Sequence, residues 1–252
     1  MVDVEGKIIE NRNIASSYHL LKLKLAEPMG KVTPGQFVMV RIPGNEVFLR
    51  RPFSIYDYSK GVLTIVYKVV GKGTGCLSKA TKGEKALVLG PLGNGFRVKP
   101  RDEYLIVSGG IGFAGIRLLV KQLKERASIF FGCSNSVEMA LLTDVKQYNP
   151  MVSTLDCSYG FEGTVVEMLR EHLVSARTSD REIFVCGPEG MLKSLKDLLD
   201  EDRTPCQVLV EERMACGLGL CFGCVRKMVD LNEPYKRVCR EGPVFDLWEI
   251  SL

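Results

Sequence analysis

The sequence predicts a β-barrel followed by an α/β unit built on a parallel sheet, with a small irregular module at the C-terminus. Three observations predict it. Apolar residues recur every second position as far as about residue 98. From 99 to 211, short apolar strands alternate with stripes at helical spacing. From 212 to 252 no period holds, and four of the nine cysteines gather there. These changes set the expected boundaries at 1–98, 99–211 and 212–252.

In the first stretch Leu21, Leu23 and Leu25 alternate with Lys22 and Lys24, and Val62, Thr64 and Val66 alternate with Leu63, Ile65 and Tyr67. Such alternation marks strands with two unlike faces. Pro34-Gly35, Pro43-Gly44 and Lys60-Gly61 punctuate them as turns. Short strands at this spacing suggest a small antiparallel barrel. One short helix is expected after Gly73. In the second stretch, apolar strands are expected at 104–107, 128–131, 152–155, 183–185 and 208–210. Between them Ile116, Leu119, Val120 and Leu123 form one helical stripe, and Met191, Leu192, Leu195, Leu198 and Leu199 another. Thr164-Val-Val-Glu167 reads as a capping box that opens a further helix. Alternating β and α segments imply a parallel sheet covered by helices on both faces, and the stripes are its core.

The cysteines of the last stretch are spaced C-x4-C-x2-C-x14-C, as Cys216, Cys221, Cys224 and Cys239. This is the plant-type spacing for a [2Fe–2S] cluster, in which four thiolates hold two irons. Gly217, Gly219 and Gly223 suit a backbone that curls round the cluster and aims N–H groups at its sulfurs. A structural zinc site is the competing reading, although zinc sites more often carry two matched C-x2-C knuckles and only one is present. The module is therefore expected to fold around its metal.

Composition narrows the function. The chain of 252 residues is 46% hydrophobic and 25% charged, with a formal charge of +4 and no basic block, so no nucleic-acid partner is expected. No run approaches the ~18 apolar residues of a membrane span. The acidic start has no apolar run, so no secretion signal is expected, and the thiols read as reduced and cytoplasmic. Cys76, Cys133, Cys157, Cys186 and Cys206 read as small hydrophobes. The two histidines, His19 in an alternating strand and His172 at a polar helix end, read as structural, and no hydrolytic machinery is visible.

Three further runs concern ligands. Arg50-Arg51-Pro52-Phe53-Ser54-Ile55 lets one strand present an arginine, an aromatic ring and a hydroxyl to one planar, phosphorylated ligand. Gly71-Lys72-Gly73-Thr74-Gly75 opens a helix, which makes either an anion site or an ordinary turn. Gly109-Gly110-Ile111-Gly112 follows the strand at 104–107, at the mouth of a parallel sheet where nucleotides bind, without being a G-x-G-x-x-G fingerprint.

In order, R-P-F-S, G-K-G-T, Gly90-Pro-Leu-Gly-Asn-Gly-Phe96, G-G-I-G and Cys186-Gly187-Pro188 make a chain that resembles the ferredoxin–NADP reductase superfamily. There a flavin-binding barrel precedes a nicotinamide-binding domain. With Glu212-Arg-Met-Ala-Cys216 through Cys224 and Cys239-Arg-Glu-Gly-Pro-Val-Phe245, the resemblance narrows. Residues 4–250 look like the electron-transfer subunits of the type 1B dihydroorotate dehydrogenases.

The resemblance implies FAD, a [2Fe–2S] cluster and NAD as cofactors. It places Arg51 at the FAD pyrophosphate with Pro52 beside it, Ser54 near flavin N5, and Phe53 in the flavin pocket. Tyr67, Lys68 and Val69 would flank the adenosine or ribityl side, and Gly73 and Thr74 the phosphates. Gly109, Gly110 and Gly112 would receive the nicotinamide nucleotide, with Cys186, Gly187 and Pro188 bordering the nicotinamide. Cys216, Cys221, Cys224 and Cys239 would hold the cluster.

The implied role is electron transfer in pyrimidine biosynthesis, with no dihydroorotate site on this chain. Electrons from the FMN of a separate catalytic subunit would pass through the cluster and FAD to NAD+, in a heterotetramer of two subunits of each kind. The alternatives are the small subunit of an NADH-dependent ferredoxin–NADP reductase or sulfide dehydrogenase, which typically has aspartate where Cys216 stands, and a stand-alone flavin reductase.

Two positions depart from the family pattern. Phe113-Ala114-Gly115 stands where Ala-Pro is usual, which loosens the helix start. Cys157 stands in a loop that often runs Asp-Asp-Gly-Ser-x-Gly, where its bulk would narrow the nicotinamide side. No cation follows the second strand of the α/β unit, where a 2′-phosphate would need one. Glu138 lies there, with Ser134 and Asn135 as partners for a free ribose hydroxyl. Arg181 and Lys193 are the basic residues that would have to reach in from elsewhere.

Overall fold

The computed structural model describes residues 1–44, 47–175, 178 and 180–252. The N-terminal part is one seven-stranded sheet. Its strands are β1 (Val2–Ala15), β2 (Tyr18–Leu25), β3 (Phe37–Arg41), β4 (Arg51–Ser54), β5 (Asp57–Ser59), β6 (Val62–Lys68) and β7 (Lys85–Leu92), in the order β4-β3-β7-β1-β2-β6-β5. Every pairing is antiparallel. The sheet curls because its edge strands β4 and β5 are consecutive. Between them the Ile55 N–H donates to Gln36 O at 3.0 Å and the Tyr56 N–H to Thr64 O at 3.1 Å.

The alternation seen in the sequence sorts side chains as expected. Leu21, Leu23, Leu63 and Ile65 point into the barrel with Ile8, Val38 and Val40, while Val66 packs on the α/β unit. The short helix α1 (Lys72–Lys79) follows β6. Asn11 of β1 ties both down. Its amide donates to the Leu77 and Ala80 carbonyls, each at 2.8 Å, and its oxygen accepts from the Tyr67 hydroxyl at 3.2 Å.

The second sheet holds β8 (Glu103–Gly109), β9 (Ala127–Cys133), β10 (Met151–Thr154), β11 (Phe161–Glu162), β12 (Arg181–Cys186) and β13 (Cys206–Leu209). All are parallel, in the order β11-β10-β9-β8-β12-β13. Helix α2 (Phe113–Leu123) covers one face through Phe113, Ile116, Leu119 and Val120. Helices α3 (Val165–Ser175) and α4 (Glu189–Leu198) cover the other through Leu169, Leu192 and Leu195. The capping box forms reciprocally: the Glu167 carboxylate accepts from the Thr164 N–H at 2.7 Å, and the Thr164 hydroxyl accepts from the Glu167 N–H at 3.2 Å. Leu155 and Val210, expected at strand ends, fall just outside them, and Leu155 is exposed.

The C-terminal segment carries the hairpin strands β14 (Val225–Lys227) and β15 (Tyr235–Arg237), then β16 (Val244–Asp246). β16 joins the edge of the second sheet antiparallel to β13, with Phe245 opposite Val208. The module expected to be irregular thus completes the parallel sheet with one reversed strand.

Two joints set the halves against each other. Arg117 of α2 lies 3.0 Å from the Asp57 carboxylate of β5 and also pairs with Asp144. Its guanidinium rests on the Tyr56 ring, whose hydroxyl donates to Asp144 at 2.6 Å. Lys121, one turn on, holds Asp57 at 2.9 Å. The second joint is Asn94. Its side chain donates to the Arg240 and Glu241 carbonyls, both at 3.0 Å, and its N–H to Gly242 O at 2.6 Å. The barrel's last turn therefore grips the cysteine module directly. Among the described residues, no helix is long and apolar enough to cross a membrane.

Candidate functional site

The cysteine loop is shaped by left-handed backbone. Gly217 and Gly219 have φ of +70° and +76°. A Cβ on Gly217 would lie 2.5 Å from Met39 Cγ, and one on Gly219 would lie 2.8 Å from Arg240 Cδ. Both positions require glycine for conformation and for space. Gly223, expected to play the same part, has no such φ; its neighbour Phe222 turns the chain instead, at φ 56°. Arg237 steadies that turn: its guanidinium lies under the Phe222 ring and donates to Gly219 O at 2.8 Å.

This loop aims N–H groups at sulfur. Leu218 N–H donates to Cys216 Sγ at 3.3 Å, Gly219 N–H to Cys239 Sγ at 3.1 Å, Gly223 N–H to Cys221 Sγ at 3.5 Å and Cys239 N–H to Cys224 Sγ at 3.4 Å. The thiols fall into two pairs, Cys216 with Cys221 and Cys224 with Cys239. Burial opposes ionisation of Cys216, but the N–H groups of Leu218, Cys221 and Leu220 bring its thiol down to about 6. Burial and the neighbouring Cys224 push Cys239 up to about 12. Four crowded thiols cannot all ionise alone, so the set suits a cationic centre.

Among the described residues, no three or more His, Cys, Asp or Glu are arranged around a single ion. As ligands of a two-iron cluster, the four sulfurs would supply two to each iron.

A cavity of about 250 Å³ lies beside this loop. The barrel supplies Pro52, Phe53, Ser54, Tyr67, Lys68 and Thr74, α2 and its approach supply Ala114 and Ile111, and the cysteine segment supplies Glu212, Met214 and Pro243. Apolar rings on one side and a helix N-terminus on the other suit a flavin and its phosphates. Arg51 and Gly73 do not line the cavity; they adjoin Pro52 and Thr74, which do, and touch each other, a Cβ on Gly73 standing 2.9 Å from Arg51 Nε. The Thr74 hydroxyl accepts from the Val70 N–H at 3.0 Å, which folds the loop back over the helix start. Val69 does not line the cavity; it packs against the barrel core. His19 stacks on Tyr67 from behind, consistent with a structural role.

A second cavity, of about 510 Å³, shares Lys68, Ile111 and Glu211 with a wider set of walls. Gly109, Gly110, Gly112, Gly187 and Pro188 form its floor. Here too backbones meet without side chains: a Cβ on Gly112 would lie 2.4 Å from Cys186 O. Cys186 itself is buried beneath the loop, where desolvation holds its thiol well above its ordinary value. Cys157, expected to narrow this site, is exposed and does not line the cavity.

The cavity's second-strand side offers Ser134 and a buried Glu138, which bonds to the Tyr18 hydroxyl. Asn135 is otherwise occupied, since its side chain accepts from the Val137 N–H at 3.1 Å. Arg181 is buried against Glu103 and Lys193 pairs with Glu189, so neither reaches the cavity.

Glu211 was not singled out in the sequence, and Glu212 and Met214 entered there only within the run leading to Cys216, not as cavity walls. Glu211 is crowded by the protein around both cavities, which raises its carboxyl. Their position immediately before Cys216, in the crossover from sheet to cysteine loop, is the only signal that marks them.

A family model described as the iron-sulfur cluster binding domain of dihydroorotate dehydrogenase B matches residues 211–251. The chain is 35% identical over 244 residues to the electron transfer subunit of dihydroorotate dehydrogenase B (NAD(+)) from Caldanaerobacter subterraneus subsp. tengcongensis, covering 96% of each. It is 36% identical to the corresponding subunit from Fusobacterium nucleatum subsp. nucleatum, again over 96% of each. Among solved structures, an NADH-dependent reduced ferredoxin-NADP oxidoreductase superposes with a TM-score of 0.85 at 28% identity, covering 98% of this chain and 89% of the other. Phthalate dioxygenase reductase shares the fold, with a TM-score of 0.68 at 15% identity and 94% of each chain covered. On full-length similarity at this level, the chain belongs to the family of dihydroorotate dehydrogenase B (NAD(+)) electron transfer subunits.

Proposed function

We propose that this chain is the NAD-linked redox subunit of a dihydroorotate dehydrogenase, carrying FAD in the smaller cavity, a nicotinamide nucleotide in the larger, and a [2Fe–2S] cluster on Cys216, Cys221, Cys224 and Cys239. One observation carries the reading. The segment that leads into the cluster ligands, Glu212 to Met214, is itself a wall of the smaller cavity, and Glu211 belongs to both cavities. The two cavities share Lys68, Ile111 and Glu211, and the wall of the smaller runs straight on into the first cluster ligand. When bound, the cofactors supply an exchange between hydride transfer to or from nicotinamide and single-electron transfer to or from iron–sulfur.

The chain's own residues do the placing. Phe53 and Tyr67 form the apolar walls and Ser54 offers a hydroxyl beside them. Arg51 with the N–H groups of the first α1 turn, at Gly73 and Thr74, would hold the pyrophosphate. Gly109, Gly110 and Gly112, facing Gly187 and Pro188, leave room for a nucleotide backbone to approach the sheet. The three parts, 1–98, 99–211 and 212–252, correspond to flavin, nucleotide and cluster.

The reading assigns dihydroorotate oxidation to an FMN-containing catalytic partner, two of each subunit forming a heterotetramer in the cytoplasm. Cys221 is the exposed ligand, and Leu220 and Phe222 beside it are 72% and 59% exposed. Apolar side chains on a solvent-facing loop suit a docking face. Leu218 and the hairpin residues Val229, Leu231 and Tyr235 extend the exposed apolar surface of this module. Met214 and Trp248 pack against the core and lie outside this surface, with the Trp248 indole donating to Thr204 O at 3.1 Å.

Cys221→Ser should abolish the cluster and leave FAD bound, because the flavin walls lie mainly on the barrel. Iron analysis should fall from about two per chain to near zero while NADH still reduces an artificial acceptor. Normal coupling of that variant to the catalytic subunit would remove the cluster from the route.

Leu220→Glu should weaken co-purification with the FMN subunit without changing flavin or iron content. Undiminished assembly would place the docking face elsewhere.

On nucleotide choice, Lys68 is the only Lys or Arg among the described residues lining the larger cavity, and Glu138 disfavours an added phosphate. kcat/KM for NADH should exceed that for NADPH by roughly tenfold or more. Equal values would mean that a cation outside this cavity wall serves the 2′-phosphate.

A further inference from the structure

The larger cavity has two unlike ends. Lys68, Ile111 and Glu211 lie where it meets the smaller cavity. Ser134, Ser153 and Leu155 lie at the other end, where β9 and β10 finish. β10 stands two strands from β8 in the sheet, roughly 10 Å from the loop at Gly109 to Gly112. A nicotinamide dinucleotide is bipolar. With its nicotinamide turned toward a flavin in the smaller cavity and its pyrophosphate at the glycine loop, its adenine falls at the Leu155 end.

Leu155 is 63% exposed, yet the backbone that carries it is pinned. Its N–H donates to Cys133 O at 3.1 Å, and the next N–H, of Asp156, donates to Ser134 O at 3.2 Å. Further round the loop, Ser158 Oγ accepts from the Ser136 N–H at 2.8 Å. A leucine is thus held uncovered on a cavity wall. It stands at the first place of the loop that often runs Asp-Asp-Gly-Ser-x-Gly, so this chain offers an apolar group where a carboxylate is usual. Ser153 gives an independent sign of a ligand at this end. It is 1% exposed, and its hydroxyl has no hydrogen-bond partner among the described residues. That hydroxyl faces the bare backbone of Gly132, also part of the wall, where a Cβ would stand 3.3 Å from it. A buried hydroxyl left unpaired is costly, and the polar edge of a ligand would satisfy it.

We propose that Leu155 is the contact for the adenine base of the nicotinamide nucleotide, an apolar shelf that covers one flat face of the ring. This rests on the assignment of the cavities made above.

The test compares wild type with Leu155→Ala and Leu155→Met, each purified with its FAD and cluster. Two quantities are read. One is the Kd for ADP-ribose, which carries the adenine and pyrophosphate but no nicotinamide, by titration calorimetry. The other is the anaerobic rate of flavin reduction against NADH concentration, which separates an apparent Kd from a limiting rate. Leu155→Ala should raise both Kd values by roughly three- to tenfold and leave the limiting rate within about twofold, because the adenine is bound alike before and during reaction. Leu155→Met, which keeps the apolar bulk, should stay within about twofold of wild type throughout. An unchanged Kd for ADP-ribose in Leu155→Ala, or a loss that Leu155→Met shares in full, would overturn the proposal. So would a lower limiting rate at an unchanged Kd for NADH. Wild-type protein whose flavin NADH does not reduce would instead overturn the cavity assignment, and this inference with it.

Discussion

The close approach of the cysteine loop to strand β3 governs the arrangement of the rest. Gly217 sits against Met39 with no space for a side chain, in a conformation that residues with a Cβ rarely adopt. That contact fixes where Cys216 begins, and with it the path of Glu212 to Met214 along the cavity wall. Asn94 makes the arrangement rigid from the other end by binding three successive carbonyls ahead of β16. A cluster on these cysteines would be held to the barrel by backbone contacts at both ends of its module. Distance between redox centres is the quantity such a protein controls, and here it is set by contacts that leave no slack.

Electrostatics and packing then divide the work. The cysteine module brings four thiols together with four backbone N–H groups; these favour the Cys216 thiolate, while burial and Cys224 hold Cys239 protonated, so four thiolates together call for a cation. Metal binding and folding of this module are therefore linked. The joint between barrel and α/β unit works by different means. Arg117 is almost covered, and it is shared between Asp57, Asp144 and the Tyr56 ring, so no charge in the group is left unmatched. One partly buried network holds α2 in place; α2 carries Ala114 of the smaller cavity and follows directly on Ile111 and Gly112 of the larger.

Much of this was legible in the sequence, for reasons that differ by element. The barrel and sheet were legible because Leu21, Leu23 and Leu25, or Ile116, Leu119 and Val120, repeat over enough residues to define a period. The candidate cluster ligands stood out in the sequence because ligand spacing is a local property. β16 was not, since three residues carry no period and its pairing is decided by β13, far away in sequence. Nor was the cavity wall at Glu211, which has no motif of its own, and Met214 was legible only as part of the run to Cys216, gaining its place as a cavity wall where sheet and loop cross. Gly223 aims its N–H at Cys221 Sγ as expected, but the left-handed turn falls on Phe222, where Arg237 from a later strand stabilises a conformation that sequence preference assigns to glycine. The Arg117–Asp57 joint links residues sixty apart, a pairing with no local signature.

The central claim is that nucleotide cavity, flavin cavity and cysteine cluster form one continuous redox path within this chain. An anaerobic titration of the purified holoprotein with NADH, followed by flavin absorbance and by electron paramagnetic resonance on the same samples, tests it most directly. The expected result is that flavin colour bleaches and a reduced [2Fe–2S] signal grows with it, approaching about one spin per chain at excess NADH. Bleaching of the flavin with a cluster that dithionite reduces but NADH does not would contradict it.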